Sequence, residues 1–375
     1  MYAPSPLNPH IQFLANGSVT VCAAANASAW LRGGETYTIT PYPVDGGNFM
    51  SWGGDVPADQ LTQNPLKLTV TGPADITCRM SAGTLATWKG GAGDALASNP
   101  ANWKDGECPK DGETVILDAS SAAYPLTWDI EMTNVVLGGW QQLEGYTNVV
   151  TIATTYPTNL SAASSSLPAN KRFPMMKIAG NVRLEDGVWR HQLSADGKFY
   201  RLGLEIDGDL TLARNPATGA FGKIDVSGLG QKNGPGSASG DRGGSHGGST
   251  SDYYNKCHGL IKTPTAHGGG SANASIPGGG AVYIVCSGDV IVDGLVKANG
   301  RLDGGNVRSS AGGSVYIKAN TIVGSGEITA SGYRDKAHEH GVGGGGRIAL
   351  IATKSDAKHD AFISNVYAYP SRKSN

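Results

Sequence analysis

Charge is scarce in this chain of 375 residues: Asp, Glu, Lys and Arg together make up 16%, and they balance to −1. That balance gives no electrostatic case for nucleic acid or for an anionic membrane surface. Long apolar runs are missing too, and none approaches the ~20 residues that span a bilayer. Glycine shows no three-residue period, which excludes collagen. Helical periodicity is absent, with glycine and proline recurring too often for any long helix. No CxxC occurs and no two cysteines lie close together, which argues against a structural zinc site. The first residues, MYAPSPLNPH, have neither a basic segment nor an apolar one of signal-peptide type. A cytosolic protein and an excerpt of a longer exported protein both fit that start; the second is the expectation, for reasons that follow.

Apolar residues are 39% of the chain, too many for a disordered one, and glycine is abundant at 55 residues. Much of that glycine punctuates a repeat. GGGAVYIVCSGDVIVDGLVKANGR begins at Gly278, AGGSVYIKANTIVGSGEITASGYR at Ala311, and GGGGRIALIAT at Gly343. Ala281, Ser314 and Arg347 stand 33 residues apart, each opening a strand. A fixed interval of this kind marks a solenoid, in which each repeat buries its apolar face against its neighbours. Alternation within the strand puts Val282, Ile284 and Cys286 on one face, matched by Val315, Ile317 and Ala319 and then by Ile348, Leu350 and Ala352. Behind it, Val296 and Ala298 align with Ile328 and Ala330, and with Ile224 and Val226 upstream. The interval reads as a coil of two strands and a variable turn. Gly180-Asn181-Val182, Gly208-Asp209-Leu210 and Gly288-Asp289-Val290 read as one recurring turn, with Asn320-Thr321-Ile322 as its variant. The fold class expected is all-β: a small β-grasp-like N-terminal domain plus a parallel β-helix, or β-solenoid.

Three stretches are organised around that array. Residues 1–81 hold alternating β-branched runs separated by turn residues. The order NGSVTV, GGETYTITPYPVDGGNFMSWGGDVP, NPLKLTVTGPADITCRM resembles the bacterial surface repeat related to the internalin-type B repeat, with Trp52-Gly53-Gly54-Asp55 where that family has Trp-Ser-Gly-Asp. Residues 82–120, with ATWKGGAGDALASNPANWKDGECPKDGETVILDAS, form a Trp-rich capping segment that is similar to the opening segment of autotransporter-like and surface-anchored β-helical proteins. Residues 121–375 carry the array, broken by a Gly/Ser-rich insertion at 229–280. Its glycine-rich repeats resemble those of large bacterial surface proteins. These resemblances imply an extracellular or cell-surface address, a scaffold or adhesin-like role, and no catalytic motif. The closing FISNVYAYPSR reads as one more strand.

Five cysteines are present: Cys22, Cys78, Cys108, Cys257 and Cys286. Cys22 and Cys78 sit in the first and last strands of one small unit and are a candidate pair, but sequence does not set their geometry and the pairing stays open. Cys286 falls on an inward strand position and reads as a small core residue.

Candidate chemistry lies on loops and outer faces. Trp88 and Trp103 have rings suited to stacking on sugars, or to plugging the first coil, which is the favoured reading. In the insertion, Tyr253, Tyr254, Cys257 and His258 form the dense patch of side-chain chemistry, with the two tyrosines as ligand-binding candidates. In Asp335-Lys336-Ala337-His338-Glu339-His340 an extended backbone puts His338 and His340 on one side, and Asp335 completes a candidate N/O set for a divalent metal; a solvated loop is the plainer reading. No cofactor is firmly implied. A polysaccharide lyase or glycosidase would use outward slots such as Asp225, Lys297 and Thr329, with Asp209 and Asp289 in nearby turns, but no spacing fixes a carboxylate pair. Gly343-Gly344-Gly345-Gly346 lacks the Lys-Ser/Thr of a phosphate loop. The leading function is therefore a self-associating structural scaffold; a carbohydrate-active enzyme and a glycan-binding module are the alternatives, and the expected partners are a second copy, a glycan or a host surface.

Overall fold

The computed structural model describes residues 11–15, 18–22, 31–41, 49–80, 84–130, 135–153, 175–194, 199–232, 234–237, 243–248, 257–271, 276–303, 306–333, 342–354 and 357–370. Among these the chain is all-β, with one short α-helix and three single-turn 3-10 helices.

The first strands are antiparallel. β1 (Ile11–Ala15), β2 (Ser18–Cys22), β3 (Thr36–Pro41) and β5 (Leu66–Thr69) form a sheet of order β2-β1-β3-β5, and β4 (Phe49–Gly54) pairs with β6 (Ile76–Met80). Ile39, Trp52, Leu66 and Leu68 make their small core, and Trp52 Nε1 donates to Gln63 O at 2.6 Å.

From Leu85 onward the pairing is parallel, in three sheets. One holds β10 (Val136–Leu137), β13 (Met176–Ile178), β16 (Leu202–Ile206), β19 (Ala281–Cys286), β24 (Ser314–Ala319) and β27 (Arg347–Ala352). The second holds β7 (Leu85–Thr87), β8 (Thr114–Leu117), β11 (Gly139–Gln142), β14 (Val182–Leu184), β17 (Leu210–Leu212), β20 (Val290–Val292) and β25 (Ile322–Val323). The third holds β9 (Leu126–Trp128), β12 (Val149–Ile152), β15 (Val188–His191), β18 (Lys223–Asp225), β21 (Leu295–Lys297), β26 (Glu327–Thr329) and β28 (Val366–Tyr367). From β10 to β26 the chain visits the sheets in strict rotation, with only the hairpin β22 (Leu302–Asp303) and β23 (Asn306–Ser309) interposed.

The 33-residue interval is the pairing register: Ala281 lies beside Ser314 and Ser314 beside Arg347. It contains three strands of the parallel sheets, however, where the sequence suggests two. The run from Val290 to Lys297 breaks at Asp293-Gly294 and passes from the second sheet to the third. A side chain at Gly294 would overlap the Gly222 carbonyl of the preceding circuit, so the corner needs glycine. The closing run is corrected as well. Phe362 and Ile363 end the helix α1 (Ala357–Ile363), which follows β27 in the place where the rotation calls for a strand of the second sheet, and only Val366–Tyr367 is strand. Phe362 is buried in the main core, which makes the helix a plug.

The inward columns hold in the first two copies, where Val282, Ile284, Cys286, Val315, Ile317 and Ala319 are all buried, while Ile348, Leu350 and Ala352 of the third pack against the core but are only partly buried. The recurring turn is a ladder of side chains. Asp209 N donates to Asn181 Oδ1 at 2.8 Å, Asp289 N to Asp209 Oδ1 at 2.7 Å, and Thr321 N to Asp289 Oδ1 at 3.1 Å. Each acceptor satisfies a backbone amide one circuit further on, in a buried corner where an unpaired N–H would be costly.

Candidate functional site

The two tryptophans of the capping segment lie inside. Trp88 and Trp103 are each 1% exposed, 5.1 Å apart and nearly perpendicular. Trp88 Nε1 donates to Tyr124 O and Trp103 Nε1 to Ala97 O, at 3.3 and 2.7 Å. No ring face is left open for a sugar. The loop between them is wired to itself: the buried Asn102 donates to Asp94 Oδ1 and Leu96 O and accepts from Ala92 N. Hydrogen bonds from Asn99, from the Leu96 amide and from Asn102 hold the Asp94 carboxyl below its usual range.

Tyr253 and Tyr254, and Asp335, His338 and His340, lie outside the described residues. Among the described residues no group of three or more His, Cys, Asp or Glu is placed to hold a metal. Asp225, Lys297 and Thr329 are neighbours in register on the third sheet, but Thr329, expected to face outward, is buried; Asp225 Oδ1 accepts the Ser227 amide at 2.9 Å. Cys108, Cys257 and Cys286 are free thiols, and the Cys22 side chain lies outside the described residues.

The concentrated chemistry is at the insertion. Its glycine runs do not hang free in the described parts: Gly268, Gly269, Gly279, Ala311, Gly312 and Gly344 bond one another backbone to backbone, as in Gly268 N to Gly279 O at 2.9 Å and Gly312 N to Gly344 O at 3.0 Å. Within this glycine seam sit four histidines. His191, His246 and His267 are buried and His258 is partly so. The rings pair: His191 with His267, centroids 5.7 Å apart and 19° from parallel, and His246 with His258, 4.7 Å apart and 30° from parallel. Two arginines hold the same segments, Arg201 Nε donating to Thr265 O at 2.6 Å and Arg347 Nε to His258 O at 3.1 Å.

Electrostatics keeps all four rings neutral. Burial pushes His191 down to about 4, with Arg201 and Arg190 acting in the same direction. Burial takes His246 to about 3, aided by His258 and Arg347. His267 lies well below its ordinary value through burial and then Arg201, His191 and His246; His258 is lowered by burial and by Arg347.

Sequence reasoning singles out His258 but misses His191, His246 and His267. The signal available is the repeated His-Gly-Gly at His246 and His267. It reads as composition until the partners are seen.

Outward on the first sheet, Tyr283 and Tyr316 stack 4.5 Å apart and 7° from parallel, buried with Met175 and packed against by Phe199. Phe199 in turn stacks on His267 at 6.2 Å. The mixed outer face is thus covered at this point.

No protein-family model, curated protein or solved structure matches the chain.

Proposed function

We propose that the three parallel sheets are the faces of one parallel β-helix, and that the protein is an extracellular, adhesin-like structural scaffold of a bacterial surface that associates with copies of itself. In this reading residues 1–81 are a β-grasp-like surface repeat serving as a spacer, 82–120 cap the array, and 121–375 form it. The observation that supports this best is the unbroken register of the first sheet from β10 to β27, six strands whose inward side chains stack like on like. Such an array is held by nearest-neighbour circuits and suits a stiff element better than a moving one. Among the described residues β27 and β28 are the outermost strands of their sheets, and such edges would offer backbone groups to a second copy, because an edge strand is a template for pairing.

Size-exclusion chromatography with light scattering over a range of concentrations tests the association. Mass that grows with concentration supports it; a strict monomer throughout overturns it. Release of reducing ends or unsaturated products from any of a panel of acidic polysaccharides would overturn the scaffold reading in favour of an enzyme.

A further inference from the structure

The described parts of the insertion are held through imidazoles, to Gly312, to Tyr200 and to each other, and the second nitrogen of each ring has no partner to take a further proton. His246 Nδ1 faces Gly312 O at 2.9 Å, His258 Nε2 faces His267 O at 2.9 Å, and His267 Nε2 faces Tyr200 O at 2.8 Å. A carbonyl only accepts, so the proton of each ring is on the nitrogen that faces it. The second nitrogens, His246 Nε2, His258 Nδ1 and His267 Nδ1, are buried with no hydrogen-bond partner. His191 is the complement: its Nε2 accepts from Ala281 N at 3.2 Å, a bond that a proton there would abolish.

A second proton on any of these rings meets no acceptor. The charged groups bearing on them are cationic: Arg201 and Arg190 on His191, Arg201 on His267, and Arg347 on His246 and His258. Both members of a ring pair, once protonated, would place two charges at stacking distance.

We infer that His246, His258 and His267 form an acid-sensitive latch: their protonation releases residues 243–248 and 257–271 from the glycine seam while the three parallel sheets, His191 included, stay folded. A histidine is the side chain whose charge changes near neutral pH, and a set of them biases a two-state element steeply. Once released, each ring regains an ordinary pKa near 6.5, so His246 and His267, held far below that value in the closed form, each favour the open form about tenfold per pH unit below it. The two together favour it about a hundredfold per unit, and His258 adds in the same direction. Release of His267 also frees Phe199, and with it one side of the Tyr283–Tyr316 stack.

Hydrogen exchange on the full chain, corrected for the intrinsic effect of pH, tests the latch. Peptides covering 243–248 and 257–271 should lose at least about a hundredfold of protection between about pH 7 and pH 5, while those covering β19 and β24 keep theirs. Protection of the insertion that persists to about pH 5, or that falls in step with β24, overturns the inference. The variant H246N/H258Q/H267Q keeps an N–H for each of the three carbonyls but cannot titrate; its insertion should stay protected at the lower pH. If that variant does not fold, H258Q alone, at the partly buried ring, should make the transition shallower. An unchanged slope overturns the assignment.

Discussion

The Cα of Gly313 lies against the carbonyl oxygen of Gly280 so closely that a methyl group on it would overlap that oxygen. The same oxygen accepts the Ser314 amide at 3.0 Å, and Gly313 N donates to Ala298 O at 2.7 Å. The backbone therefore has no freedom to move aside. Gly313→Ala should cost about 1–3 kcal/mol, the usual range for overpacking. Gly248 is the control: its added Cβ meets nothing nearer than Gly345 N at 3.7 Å, so Gly248→Ala should stay within about 0.5 kcal/mol of the parent or gain slightly. Urea unfolding of the two variants makes the comparison.

Trp140 and Trp189 are equally buried, 4.8 Å apart and nearly perpendicular, yet only one uses its indole N–H. Trp189 Nε1 donates to Gln142 Oε1 at 2.9 Å, whereas Trp140 Nε1 has no partner. Both phenylalanine substitutions lose volume, but Trp189→Phe also strands a buried amide oxygen. It should cost about 1–3 kcal/mol more than Trp140→Phe, read from denaturation midpoints at equal m-value.

Stability should fall on mild acidification, with a sign fixed by the histidines. His191 is held near about 4 in the folded chain and returns to about 6.5 when unfolded. Between those values the unfolded chain holds the extra proton. The stabilisation is therefore complete above about pH 6.5 and is lost progressively down to about pH 4, at about 1.4 kcal/mol per pH unit for this one group. His191→Gln, whose amide oxygen can take the Ala281 bond, should lower the slope of unfolding free energy between about pH 6.5 and 5 by one proton. A slope equal to the parent's would show that His191 is charged in the fold.

The free thiols should separate by reactivity. Burial pushes the Cys286 thiol up to about 12, with Asp209 and Asp289 adding to the effect, while Cys257 is exposed. Since the thiolate is the nucleophile, iodoacetamide at neutral pH should label Cys257 in the folded chain and Cys286 only after denaturation. Peptide mapping before and after unfolding reads the difference.

The array was legible because its signal repeats. Val282, Val315 and Ile348 announce one column at a fixed interval, and three long strands alternate clearly enough to show it. The third sheet was not, since β20 and β21 are three residues each and one alternation in each looks like a single strand until Gly294 is seen to turn. The helix at Ala357 is only seven residues, too short for a period, and its place depends on Phe362 finding the core. The capping loop was recognisable as a motif, and the favoured reading of its tryptophans, plugging rather than stacking on sugars, agrees with their burial. The histidine seam was least legible. His246 bonds a carbonyl 66 residues ahead and His267 one 67 residues behind, and any residue supplies a carbonyl.

The break between β18 and β19 has one more consequence, for the order in which circuits close. Leu202 pairs with Val282 across 80 residues of chain, whereas Val282 pairs with Val315 across 33. Ring closure grows costlier only with the logarithm of length, so the longer span adds about 0.8 kcal/mol. A chain excursion of this size hardly disturbs the equilibrium between circuits. It leaves the two sides of the gap free to nucleate separately, each on its own short-range pairs, and to meet afterwards along an edge that is already in step.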